Sequence, residues 1–147
     1  MSNTDPAPPA DPQLHHTGLT VADLERAVGF YTSLLDCTIE ARFSVSGDAF
    51  GTVVGHDGVS GQFVHLRSGD GRIELVEYEP AGTQREPPEL PQPGGNHLAF
   101  SVDDVDAALE ERLPDTEPLS EPQTTASGTR LVFFRDPDGN LVELLEA

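Results

Sequence analysis

The sequence predicts an α+β fold built from two β-α-β-β-β modules. Three observations predict it. HTGLTVADLERAV, from His16 to Val28, recurs as HLAFSVDDVDAAL, from His97 to Leu109, with its His, Val, Asp, Ala and aliphatic positions in one frame. IELVE, from Ile73 to Glu77, recurs as VELLE, from Val142 to Glu146. Between the two copies lies a stretch rich in Pro and Gly. An internal repeat of this kind sets the architecture before any single element does.

The elements follow in order. Residues 1–13, MSNTDPAPPADPQ, lack the basic region and apolar core of a secretory signal and read as a flexible tail. Module one spans 14–79. Its first strand, Leu14 to Val21, sets Leu19 and Val21 on one face and His16, Gly18 and Thr20 on the other. Asp23 stands as a helix N-cap. Leu24, Ala27, Val28, Tyr31, Leu34 and Leu35 then form a helical stripe. Strand-like stretches follow near 38–45, 49–54 and 61–67, separated by Gly and Asp turns. Arg72 to Tyr78 is the last strand of the module.

The linker occupies 80–95. The segment from Glu79 to Gly95 holds five prolines and three glycines, which exclude regular structure. Module two spans 96–147. Leu98, Phe100 and Val102 share one strand face, and His97, Ala99 and Ser101 share the other. Asp103 or Asp104 caps a helix carrying Val105, Ala108, Leu109 and Leu113, which Pro114 stops. Residues 115–128 are polar and turn-rich. Thr129 to Arg135 and Asn140 to Glu146 are the final strands, joined by the tight turn DPDGN.

Composition narrows the function. At 147 residues the chain is one domain, or two small modules sharing a core. It holds 26 acidic residues against 8 basic ones, a net charge of −18; every basic residue is Arg. Nucleic-acid binding needs a basic footprint and is not expected. No apolar run approaches the roughly 18 residues of a membrane span, so no membrane partner is expected. The acidic excess points to a halophile's cytoplasm, where salt at about 1 M shortens the Debye length to about 3 Å and screens the self-repulsion. Cys37 is the one cysteine, so no internal disulfide forms.

Strand parity carries the functional reading. Apolar alternate residues pack under the helices, so His16, Glu74, His97 and Glu143 all fall on the face away from them. A lone His at a strand start is ordinarily a packed residue, and a lone Glu in such a strand ordinarily faces solvent. Recurrence of both at equivalent places in two modules singles these four out. Two imidazoles and two carboxylates suit a divalent ion such as Zn, Ni, Co, Mn or Fe(II), one per site. Such an ion can be chelated by a small substrate through two neighbouring oxygens, and a nearby carboxylate can remove a carbon-bound proton. The remaining histidines read more plainly. His15 is expected on the helix side and His56 in a turn, while the place of His65 relative to the ligand face stays open. Cys37 reads as a small packed residue and the Asp103, Asp104 and Asp106 run as helix capping and solvation.

HHTGLTVADLERAVGFYTSLL, RIELVEY, GGNHLAFSVDDVDAAL and FFRDPDGNLVELLE resemble the vicinal oxygen chelate (glyoxalase/bleomycin-resistance/dioxygenase) superfamily, from about Leu14 to Glu146. The resemblance implies two β-α-β-β-β modules whose sheets form a cup around a divalent metal. It implies His16, Glu74, His97 and Glu143 as the ligands. Within the superfamily the set is similar to glyoxalase I, a lyase that works through a metal-chelated enediolate of a thiol–ketoaldehyde adduct. That implies Glu143 as base, with Glu74 as partner carboxylate and the symmetric candidate for the same role. Thr20 stands where bacterial glyoxalases often carry an Arg, so the thiol stays open. The alternatives are an epimerase or extradiol-type dioxygenase on the same fold, or a small-molecule binding or resistance protein. A homodimer is expected, with the cup completed within one chain or across two.

Overall fold

A computed structural model describes Pro6 and residues 11–147; the expected tail over 1–13 falls largely outside these. Module one contains β1 (Thr17–Thr20), α1 (Leu24–Leu34), β2 (Thr38–Val45), α2 (Asp48–Val54), β3 (Ser60–Ser68) and β4 (Gly71–Glu79). Module two contains β5 (His97–Ser101), α3 (Val105–Arg112), β6 (Gln123–Thr124), β7 (Arg130–Arg135) and β8 (Leu141–Leu145). The sheets run β1-β4-β3-β2 and β5-β8-β7-β6. In each, the first strand lies parallel to the last and the remaining pairs are antiparallel. The sequence repeat is thus a repeat of topology, and the fold is α+β as predicted. Among the described residues, no helix is long and apolar enough to cross a membrane.

The repeated motifs build the helix starts. Asp23 caps α1 by accepting from the Arg26 N–H, and Asp104 caps α3 by accepting from the Ala107 N–H. Glu77 Oε1 accepts from Leu24 N at 2.8 Å, and Glu146 Oε2 accepts from Val105 N at 3.0 Å. The last Glu of IELVE and of VELLE therefore closes the helix of its own module. Each helix N-terminus receives two carboxylates where its unpaired N–H groups and dipole favour negative charge.

Residues 49–54 correct the sequence reading. They form most of α2, not a strand. Ala, Thr and Val bounded by glycines look like a short strand, but the glycines are the helix ends. Gly55 takes a left-handed conformation at φ 75° and closes the helix. Gly51 is buried so tightly that a Cβ there would lie 3.1 Å from Asp57 Cα and from the His56 carbonyl oxygen. The helix presents Phe50 to Phe63 and Tyr78.

One core serves both modules. Val64, Leu66, Ile73 and Leu75 from the first sheet, and Val132, Phe134, Val142 and Leu144 from the second, join Ala27, Val28, Tyr31, Leu34, Val105 and Ala108 of the helices. Each sheet turns its helix side into this core. The opposite faces, which carry the ligand candidates, are turned outward.

A polar lock ties the modules together. Tyr31 Oη donates to Asp136 Oδ2 at 2.6 Å, both groups being buried. Asp136 also accepts from Asp138 N, Asn140 N and Asn140 Nδ2, each at 2.9 Å. Asp138 Oδ1 in turn accepts from Ala22 N at 2.9 Å. Phe30 and Phe134 meet beside the lock with ring centroids 6.2 Å apart. Burial, and then the Asp136 charge, push the Tyr31 phenol far above its ordinary pKa.

Tyr31→Phe should lower the unfolding free energy by about 2 kcal/mol, the scale of a buried hydrogen bond to a charged acceptor. The phenol's pKa is raised on folding. Its contribution is therefore present below the unfolded value of about 10 and lost as pH rises above it. Urea titrations of both proteins across that range should show a steeper alkaline fall for the wild type. Equal stabilities and equal slopes would show that apolar burial alone joins the modules.

Candidate metal centre

The two half-sites have the same construction. Gly18 on β1 pairs with Glu74 on β4, and Ala99 on β5 pairs with Glu143 on β8. In both modules the histidine stands two residues before the partner of the glutamate. His97 lies within β5, where a side-chain period of two puts it on the face of Glu143, and His16, just before β1, takes the same place beside Glu74. His16 Nε2 lies 3.5 Å from Glu74 Oε1, and His97 Nε2 lies 3.3 Å from Glu143 Oε1. The carboxylate side chains are 16% and 13% exposed, the imidazoles 34% and 40%. The acids are sunk in the sheet and the imidazoles stand at the rim.

These separations fit donors to one ion. Ligand atoms about 2.1 Å from a divalent ion are about 3.0 Å apart at a right angle and about 3.4 Å apart at the tetrahedral angle. Charge-assisted N–H···O bonds are shorter, at about 2.7–2.9 Å. The donor chemistry agrees, being imidazole and carboxylate in each half. No arginine bonds Glu74 or Glu143 among the described residues.

The chain does not gather the four into one cluster. Among the described residues, the one group of three or more His, Cys, Asp or Glu ligand atoms within 4.8 Å of one another is Asp104, Asp106 and Glu146. That group is committed elsewhere. Asp104 and Glu146 cap α3, and Asp106 accepts from Arg130 Nε at 2.7 Å. The outward orientation of both ligand faces explains the separation of the half-sites.

Three further residues complete the first half-site. His65 on β3 pairs with Glu74 in register, and His65 Nε2 lies 2.7 Å from Glu74 Oε2. The sequence left the place of His65 open, and the register of β3 on β4 puts it on the ligand face. His15, expected on the helix side, is instead exposed. Its Nδ1 lies 2.8 Å from His16 Nδ1, leaving Nε2 of His16 directed at Glu74. Arg72 Nη1 approaches His15 Nε2 at 3.0 Å. His56 lies in its expected turn, and Cys37 is half-buried, its thiol pushed up by burial.

An aromatic wall adjoins Glu74 on the same face. Phe43 stacks on Phe63 at 5.0 Å and 2°, and its ring meets His65 edge-on at 5.1 Å. Phe50 of α2 extends the wall to Tyr78. Nearby cations are already occupied. Glu40 accepts from Arg72 Nε and Arg67 Nε, each at 2.8 Å, and these bonds, that of Arg72 first, push its carboxyl down to about 2. On the other half-site, Phe133 meets the His97 ring edge-on at 5.2 Å. A cavity of about 460 Å³ runs between Thr17–Thr20 and His97, with Arg85 of the linker in its wall.

Comparisons with known proteins show the family and the fold. The model of the Glyoxalase/Bleomycin resistance protein/Dioxygenase superfamily matches residues 13–144. A 2-epi-5-epi-valiolone epimerase from an Actinomyces species is 33% identical over 90% of this chain and 78% of its own. A lactoylglutathione lyase from Pseudomonas putida is 30% identical over 97% of this chain and 91% of its own. The crystal structure of a glyoxalase family protein from Bacillus cereus superposes with a TM-score of 0.80 at 24% identity, covering 95% of this chain and 98% of that one, which shows the shared fold.

His16→Ala and His97→Ala should each remove most of the metal from purified protein, read by elemental analysis after loading with Zn(II). Full occupancy in both variants would show that the ion is held elsewhere.

Proposed function

The chain belongs to the glyoxalase/bleomycin resistance protein/dioxygenase superfamily, and we propose that within it the protein is a divalent-metal-dependent lyase of the glyoxalase I type. Its substrate is the adduct of a low-molecular-weight thiol with a ketoaldehyde. The observation that carries this reading is a carboxylate at ligand distance from an imidazole in both half-sites. Hydrolysis or oxygen activation needs one such carboxylate, whereas moving a proton between neighbouring carbons uses a second.

His16, Glu74, His97 and Glu143 hold the ion. When bound, the ion would supply Lewis-acid polarisation of a substrate carbonyl, which acidifies the adjacent C–H. Glu143 takes the carbon-bound proton and returns it to the neighbouring carbon while the hydroxyl proton passes to the neighbouring oxygen, which converts the hemithioacetal to a thioester without net oxidation. Glu74 stays as partner carboxylate. The aromatic wall of Phe43, Phe63, Phe50 and Tyr78 excludes water from one side of the site.

The separation of the two half-sites within one chain supports a dimer. Joining the half-sites within one chain would separate the two sheets from their shared core and break the Tyr31–Asp136 lock. Pairing with a second copy does neither. His16 and Glu74 of one protomer then complete a site with His97 and Glu143 of the partner subunit, giving two sites per dimer.

A second reading rests on the wall itself. An aromatic surface whose nearby guanidiniums are tied to Glu40 suits a carbocyclic hydroxyketone better than an acidic thiol peptide. An epimerase would take the proton with Glu143 and have a proton returned to the opposite face of the same carbon by Glu74. The similarity to a valiolone epimerase supports this alternative.

Glu143→Gln separates binding from chemistry. The amide still offers an oxygen to the ion but cannot take a proton at neutral pH. With methylglyoxal and a panel of thiols, turnover should fall by a factor on the order of 10²–10⁴ while metal is retained. Near wild-type turnover in the metal-loaded variant would place the base elsewhere. A wild type that forms no thioester yet exchanges the α-proton of a cyclic hydroxyketone with deuterated solvent would favour the epimerase.

A further inference from the structure

The two half-sites match in their His and Glu but differ at the residue that faces the glutamate across the antiparallel ladder. The residue paired with Glu74 is His65, and the residue paired with Glu143 is Phe133. Distance separates the roles of the two histidines around Glu74. His16 Nε2 lies 3.5 Å from Oε1, a spacing that leaves room for an ion between them. His65 Nε2 lies 2.7 Å from Oε2, which is a direct hydrogen bond. The two imidazoles address opposite oxygens of one carboxylate. His65 is 13% exposed in its side chain and its ring is braced by the edge-on contact with Phe43.

We propose that His65 is a positioning residue for Glu74: its Nε2–H holds Oε2 and aims Oε1 at the ion, so that Glu74 is the fixed carboxylate and Glu143 the movable one. The inference rests on the metal reading given above. A ligating carboxylate with two free oxygens can swing between one-oxygen and two-oxygen coordination. One whose outer oxygen is already bonded keeps a single oxygen directed inward and needs less ordering when the ion arrives. Glu143 has no such constraint. Among the described residues, its side chain meets His97 and no second donor, and Phe133 offers none. A fixed acid in one module and a free acid in the other is the division of labour that proton removal by Glu143 requires.

The test compares His65→Phe with His65→Gln in the full chain. Phe copies the residue of module two and keeps a ring against Phe43. Gln keeps an N–H donor with similar reach. Zn(II) affinity is read by competition with a chromophoric chelator, and folding by thermal melting. His65→Phe should bind Zn(II) about 10- to 100-fold more weakly than wild type, with His65→Gln restoring most of the loss. The visible spectrum of the Co(II)-loaded protein should shift in the Phe variant and return toward wild type in the Gln variant. Unchanged affinity and spectrum in His65→Phe overturn the positioning role while leaving the metal reading intact. Equal loss in both variants overturns it too, because it makes His65 a ligand. A wild type that takes up no Zn(II) overturns the metal reading itself and this inference with it.

Discussion

Asp136 is a buried carboxylate at the joint between the modules. Leaving such a charge without partners would cost several kcal/mol, and the fold supplies four: the Tyr31 hydroxyl, two backbone N–H groups and the Asn140 amide. Three come from its own turn and one from a helix 105 residues away. Asp136 braces the turn through three of these bonds and reaches α1 through the fourth. α1 is thereby fixed against the second sheet, the helix sides of both sheets face one core, and the ligand faces are left pointing outward. The half-sites follow from this joint as much as from the residues that line them.

Within each module the chemistry follows from strand period. A glutamate flanked by core aliphatics must project away from the core. A histidine two residues before the partner of that glutamate must project beside it. The later Glu of the same strand has the opposite parity and caps the helix. One short motif thus serves a ligand face and a helix terminus at once. The modules then diverge at the register position opposite the ligand carboxylate, His65 in one and Phe133 in the other. That substitution makes the two acids chemically unequal.

The ligand candidates were legible in the sequence because parity is a local property, and the repeat shows it twice. The sheets and helices α1 and α3 were legible from the same periodicities. What escaped depended on pairing or on distant contacts. His65 could not be placed because its relation to Glu74 is a matter of register between β3 and β4. His15 defied alternation because it precedes β1 and is drawn to Arg72 and His16 instead of the helix side. α2 escaped because Ala49–Val54 is too short for periodicity to choose, and the Gly55 cap with the packing of Phe50 decided it. Glu77 and Glu146 look like solvent-facing ends of strands until the helix starts lie beneath them. The Tyr31–Asp136 contact joins the modules across 105 residues, and no local pattern announces a contact of that span.

In the dimer proposed above, each metal site joins one module from each of two protomers. Mixing two inactive proteins tests it directly. His16→Ala and His97→Ala are unfolded together, refolded as a mixture and assayed for Zn(II) content against each protein refolded alone. In a shared-site dimer, each mixed dimer has one site with both lesions and one site with none. Metal, absent from each parent, should therefore return to the mixture at one intact site per mixed dimer. A mixture that binds no more Zn(II) than its parents, with mixed dimers shown to form, would contradict the account and place the whole site within a single chain.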